Sequence, residues 1–110
     1  MLDLACGDGV YSNRLQDMGF EATAADLDRK HFLFKGKLRF VSLNLLEDLP
    51  FKDASFDYVL FLEIIEHLYN PADVMREIVR ILKPGGGAYP LYAEHLSPRF
   101  SDSVSVPGKL

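Results

Sequence analysis

The stretch Leu2-Asp3-Leu4-Ala5-Cys6-Gly7-Asp8-Gly9 constrains the fold more than any other part of the chain. An apolar run carrying one acid breaks into a turn with two glycines, and a helical pattern follows from Val10. A strand, a tight turn and a helix N-terminus in that order can hold polar ligands against bare backbone. Glycine lets the chain take positive φ and lets a ligand approach closely. Asp3 falls late in the strand, where its carboxylate can meet a ligand's polar groups or cap local amides.

The remaining pattern alternates in the same way. Residues 1–5 form a first strand and residues 10–18 a short helix, with Gly19 as its stop. Residues 20–25 read as a second strand ending at Asp26, and residues 38–43 as a third. Residues 29–35 give at most one helical turn, and residues 47–55, with Pro50, Asp53 and Ser55, read as a loop. Residues 56–62 are nearly continuously apolar, as expected of a strand covered on both faces. The clearest helix spans 71–82: Asn70 can cap it, Pro71 suits its first position, and Val74, Ile78, Ile81 and Leu82 share one face. Lys83-Pro84-Gly85-Gly86-Gly87 ends it. Residues 88–93 make a fifth strand, although Pro90 in its middle belongs at an edge. From Ser97 onward the chain is polar and reads as a disordered tail, so residues 1–96 form the domain and 97–110 the tail.

Strands alternating with helices imply an α/β fold with a parallel sheet and helices on both faces. Ligands of such sheets bind beyond the carboxyl ends of the strands. The polar and glycine signals fall at those ends: residues 6–9, Asp26, Asn44 and residues 62–67. At 110 residues the chain can bury one modest core. Twelve basic against sixteen acidic residues give a net charge of −4, which lacks the broad basic field of a nucleic-acid binder. The local basic cluster Arg29, Lys30, Lys35, Lys37 and Arg39 reads as a solvated face. A single cysteine allows no internal disulfide and suits a reducing compartment, so a cytoplasmic location is expected, with no membrane span.

Gly7-Asp8-Gly9-Val10-Tyr11-Ser12 lacks the third glycine of a dinucleotide fingerprint, and Asp8 would repel a pyrophosphate. A dinucleotide-binding module is therefore the weaker reading. An acidic loop suits a ligand without phosphates, and S-adenosylmethionine is one. The residues that carry a family resemblance are the 2–9 loop, Asp26, Leu49-Pro50-Phe51 with Ser55-Phe56-Asp57, Glu63-Ile64-Ile65-Glu66-His67-Leu68, and Arg80-Ile81-Leu82-Lys83-Pro84-Gly85-Gly86. Across residues 1–87 the chain resembles the Rossmann-like S-adenosylmethionine-dependent methyltransferases.

The resemblance implies a sheet of about five strands in the order 3-2-1-4-5, truncated at both ends. It implies methyl transfer from S-adenosylmethionine to a small-molecule oxygen, nitrogen or carbon. Backbone at Ala5, Cys6, Gly7, Asp8 and Gly9 would face the methionine carboxylate, with Asp3 close by. Asp26 would take the ribose hydroxyls beside Leu27, and Asn44 and Leu45 would flank adenine. Many relatives carry Asp where Asn44 stands; its amide can still accept from the adenine amino group. Carbonyls near Phe61 and Leu62 would meet the ammonium. Cys6 reads as a small packed side chain rather than a nucleophile.

Glu63, Glu66 and His67 share one face if their segment is helical, and they are the candidate catalytic residues. Two carboxylates and an imidazole can hold a divalent cation such as Mg²⁺. The spacing is similar to that of metal-dependent O-methyltransferases of ubiquinone biosynthesis and of small RNA. Relatives with the same run but no metal use it to line the pocket, and both readings stand.

The family continues after Gly87 with a hydrophobic strand, a helix and a hairpin, whereas residues 88–110 are short and polar. A reading-frame shift near Gly87 would account for the change, and the gene's nucleotide sequence decides it. A sheet ending at the fifth strand would expose an edge suited to pairing with a second copy. A truncated domain that binds the cofactor and catalyses nothing is the alternative function.

Overall fold

A computed structural model of the chain describes residues 1–62, 70–91 and 104–105. Its strands are β1 (Leu2–Leu4), β2 (Thr23–Asp26), β3 (Arg39–Ser42), β4 (Phe56–Leu62), β5 (Leu82–Leu91) and β6 (Val104–Ser105). Two helices, α1 (Val10–Asp17) and α2 (Pro71–Ile81), complete the described elements. The strands lie in the order β3-β2-β1-β4-β5-β6. The first five are parallel, and their order is the expected 3-2-1-4-5. β1 sits in the middle, with Leu4 in register with Ala25 on one side and Phe61 on the other. Crossovers over both faces are the connections that parallel strands require.

The sheet's alternation separates two cores. Leu2, Leu4, Ala25, Val59 and Phe61 pack with Val74, Ile78 and Ile81 of α2. The helix stripe at i, i+4 and i+7 is fully used: those three residues are all buried. Each such side chain contributes roughly 1.5–3 kcal/mol by leaving water. On the opposite face a smaller cluster joins Ala24, Phe32 and Leu38, with Cys6, Phe34 and Phe40 against it. α1 lies on that face, and Ser12 is its one buried residue.

Several boundaries differ from the sequence reading. Residues 29–35 form turns, pinned where the Phe32 amide donates to the Arg29 carbonyl, 3.0 Å. Asn70 does not cap α2 with its side chain. Its Nδ2 donates to the Leu45 carbonyl at 3.1 Å, and its buried Oδ1, the atom that would accept from the helix's first amides, has no partner among the described residues. α2 ends at Ile81 and β5 begins at once with Leu82, running through the glycines and Pro90 to Leu91. Pro90 keeps its place opposite Phe61, beyond the two residues of β5 that β6 pairs.

The sixth strand lies where the sequence reads as a tail. Val104 and Ser105 pair antiparallel with Ala88 and Gly87. An edge strand offers open amides and carbonyls that a second segment of backbone can pair with. The edge of β5 expected to lie bare is therefore covered at these two positions. No helix among the described residues is long and apolar enough to cross a membrane.

Candidate functional site

The carboxyl ends of β1, β2 and β3 open on a cleft of about 330 Å³ lined by Ala5, Asp26, Leu27, Leu43, Asn44, Leu45 and Leu46. That volume lies within the range of small-ligand sites, roughly 300–1,000 Å³. Five of these seven residues are sequence candidates. Leu43 and Leu46 are additions, and their signal was only their adjacency to Asn44 and Leu45.

The loop after β1 is built on unusual backbone. Ala5 has φ 65°, Gly7 φ 57° and Gly9 φ 88°. A non-glycine residue held at positive φ costs roughly 1–3 kcal/mol, and such strain gathers at ligand-holding turns. The two glycines serve different ends. At Gly7 a Cβ would meet nothing within 4 Å, so the loop presents an open surface there. At Gly9 a Cβ would fall 2.8 Å from Phe32 Cδ1, with Phe32 Cε1 nearer still and Phe34 Cδ2 at 3.2 Å. Gly9 is thus filled from behind by the 32–34 segment. The Leu33 amide donates to the Asp8 carbonyl at 2.9 Å and binds the two loops together.

Asp26 joins the two halves of the site. Its Oδ2 accepts from the Gly7 amide at 2.8 Å and its Oδ1 from the Leu27 amide at 2.7 Å. Its own carbonyl accepts from the Leu43 amide at 3.0 Å, which brings the third strand's end alongside. The Cys6 amide donates to Ala25, the Gly9 amide to Cys6 and the Val10 amide to Asp8 Oδ1. Most amides expected to face a ligand carboxylate are therefore engaged within the protein. Asn44 Oδ1 accepts from the Leu46 amide at 2.9 Å, which fixes the carboxamide's orientation.

Asp3 stands apart from the cleft. It is 2% exposed, and the Ser12 hydroxyl donates to its Oδ2, so it ties β1 to α1. Burial raises its carboxyl from 3.8 to about 6, opposed by the Ser12 bond and reinforced by Asp26. The folded state then holds a proton that the unfolded chain has already released, so stability falls as pH rises from 4 to 7. The Asp3→Asn variant keeps an acceptor for Ser12 and removes this cost. Its stability advantage over the parent should grow by about 2 kcal/mol between pH 4 and pH 7, read by urea unfolding at both values. An advantage that does not change with pH would contradict the assignment.

Burial likewise pushes the Cys6 thiol up to about 12, with Asp3 and Asp26 adding to the shift. A thiol held protonated is no nucleophile at neutral pH. It packs beside the smaller core as the sequence reading expects. Phe61 and Leu62 end β4, in register with Leu4 of β1 and Leu91 of β5 respectively. Glu63, Glu66 and His67 lie outside the described residues. Among the described residues no group of three or more His, Cys, Asp or Glu side chains is placed to hold a metal ion.

A parallel sheet in this order, with a strained glycine loop and an acid at the end of the second strand, defines a Rossmann-like α/β domain. The chain belongs to the methyltransferase domain family, whose model matches residues 2–89. It is 35% identical over 94 residues to the ubiquinone biosynthesis O-methyltransferase of Xanthomonas axonopodis pv. citri, covering 78% of this chain and 39% of that protein. The enzyme of the same name from Caulobacter vibrioides is 30% identical over 100 residues, covering 78% of this chain and 37% of its own length. A solved S-adenosylmethionine-dependent methyltransferase from Methanosarcina mazei superposes with a TM-score of 0.67 at 25% identity, covering 81% of this chain and 50% of that one. The chain thus spans about two-fifths of the length of the curated relatives it matches.

Proposed function

We propose that this chain is the S-adenosylmethionine-binding core of a methyltransferase that methylates a hydroxyl oxygen of a small-molecule acceptor. The observation that carries the reading is the cleft beside Asp26, whose carboxylate braces the glycine loop while facing the same space as Leu27 and Asn44. Each Asp26 oxygen accepts one backbone amide. A carboxylate offers about four acceptor positions, so capacity for two ribose hydroxyls is left. Leu27 and Leu46 are 65% and 63% exposed and offer apolar surface to a flat base. Asn44, with Oδ1 committed to Leu46, offers its Nδ2 as a donor to a ring nitrogen, which differs from accepting an amino group. The open surface at Gly7 leaves room for the ligand's methionine part beside the loop.

When bound, S-adenosylmethionine supplies a methyl group on an already activated sulfonium. The chain's own task is then to hold and orient, since in-line positioning supplies much of the rate. The relatives' name, O-methyltransferase of ubiquinone biosynthesis, makes an oxygen acceptor the first choice. Calorimetry on the full chain tests the reading. S-adenosylhomocysteine should give saturable heat and NAD none. No binding of S-adenosylhomocysteine at millimolar ligand would remove the proposal. Methyl transfer to a panel of catechols, set against amines and carboxylates, then tests the acceptor class.

A further inference from the structure

Behind the cleft lies a second hollow, of about 340 Å³, lined by Glu47, Asp48, Asn70, Asp73, Arg76 and Glu77. Leu45 and Leu46 line both spaces. They form a partition with open space on each side. Leu45 packs its side chain against the larger core, while Leu46 is mostly exposed. Leu43 and Leu49, on either side of the wall, are buried in the same core, and Asn70 Nδ2 holds the Leu45 carbonyl, so the exposed Leu46 end of the wall is what the following loop must steady.

Polar ties from α2 hold that loop in addition to the core packing of Leu49. Glu77 Oε1 accepts from the Leu49 amide at 2.8 Å, and Arg80 Nη2 donates to the Leu49 carbonyl at 2.9 Å. Arg80 Nη1 donates to the Phe51 carbonyl and to Asp53 Oδ1, both at 2.8 Å. Arg80 also holds Glu77 through Nε at 2.7 Å and Nη2 at 2.9 Å. One guanidinium thus grips the loop at three residues and orients the carboxylate that grips it from the other side. The Arg80 bonds lower the Glu77 carboxyl below its ordinary range, so the pair stays charged. A planar five-donor fork is the side chain suited to this, and an ammonium cannot serve these acceptors together.

We propose that Glu77 and Arg80 are positioning residues that set the wall of the adenosyl cleft. They fix Leu49–Asp53 on α2, and so steady the Leu46 end of the wall a few residues upstream. This inference rests on the adenosyl reading of the cleft, but Arg80 does not line that cleft. The pair acts on ligand affinity through the loop.

The test compares the full-length chain with Arg80→Met, Arg80→Lys and the core truncation Ile78→Val. Calorimetry with S-adenosylhomocysteine is run well below each variant's unfolding midpoint. Arg80→Met should weaken binding roughly 10-fold, the scale of displaced hydrogen-bonding partners, and Arg80→Lys should recover part of the loss. Ile78→Val lowers stability without touching the clamp and should bind as the parent does. A purely structural role would make affinity follow stability across all three. Binding by Arg80→Met within twofold of the parent would overturn the proposal. Hydrogen exchange separates failure of this inference from failure of the adenosyl reading. The Leu46 and Glu47 amides, both held by Asn44, should exchange faster in ligand-free Arg80→Met or Arg80→Lys than in Ile78→Val. Unchanged exchange at those amides overturns the clamp even if the parent binds no ligand. If Arg80→Met does not fold, Arg80→Lys carries both measurements.

Discussion

Replacing Gly9 by valine should cost about 2–6 kcal/mol and leave the domain marginal or unfolded. Two effects add. Gly9 has φ 88°, a conformation that a β-branched residue adopts only under strain of roughly 1–3 kcal/mol. Its Cβ would also drive into the Phe32 ring, which is 3% exposed and wedged beside Phe34 and Phe40. Overpacking of this kind costs roughly 1–3 kcal/mol. A domain of ordinary stability, about 5–15 kcal/mol, has little margin for such a loss. Urea unfolding of Gly9→Val beside Gly7→Ala separates the sources. At Gly7 the strain is conformational only, because its Cβ enters open space, so the loss should be near 1 kcal/mol. Equal losses at the two glycines would contradict the packing of Phe32 behind the loop.

Asp26→Ala should abolish measurable binding of S-adenosylhomocysteine, a loss of about 100-fold or more. The substitution removes the proposed acceptor of the ribose hydroxyls, and bonds to a charged acceptor are worth roughly 1.5–3 kcal/mol each. It also releases the Gly7 and Leu27 amides, so the loop and the strand end lose their common anchor. Asp26→Asn keeps one oxygen acceptor and should lose about 10-fold, with Gly7 or Leu27 left without its partner. Calorimetry reads both. Affinity of Asp26→Ala within threefold of the parent would place the ribose elsewhere and remove the central contact of the proposed site.

The succession of strands and helices along the chain was legible because periodicity and punctuation agreed at most elements, whereas the sheet order 3-2-1-4-5 was what the family resemblance implied. The stripe Val74, Ile78, Ile81 needed one buried face and found it against β1 and β4. Pro71 at the first helical position was equally local. Local signals fared less well where a distant group competed. Asn70 reads as a cap, but its Nδ2 is turned to the Leu45 carbonyl, 25 residues away, and its Oδ1 accepts from none of the helix's first amides. The two-residue β6 was not legible, since a pair of residues carries too little pattern to be told from a polar tail. Of the candidate site, Asp26, Leu27, Asn44, Leu45 and Ala5 converge on one cleft, whereas Asp3 turns to the other face of the sheet. That turn follows from alternation: Leu2 and Leu4 face α2, so Asp3 must face α1.

The sequence by itself determined that this chain folds as a parallel α/β sheet with a glycine loop after its first strand. Hydrophobic period, helix signals and glycine placement are local properties, and they are enough to set elements and their connections. Only the tertiary structure decided what each glycine is for and how the cleft is held. Gly9 answers to Phe32, 23 positions later, and the loop beside the cleft answers to Arg80 across 27 to 31 positions. Contacts at such separations depend on how whole elements pack, and no spacing along the chain encodes them. The Leu2–Gly9 stretch therefore announces a glycine turn after the first strand, while its rigidity comes from residues that lie outside it.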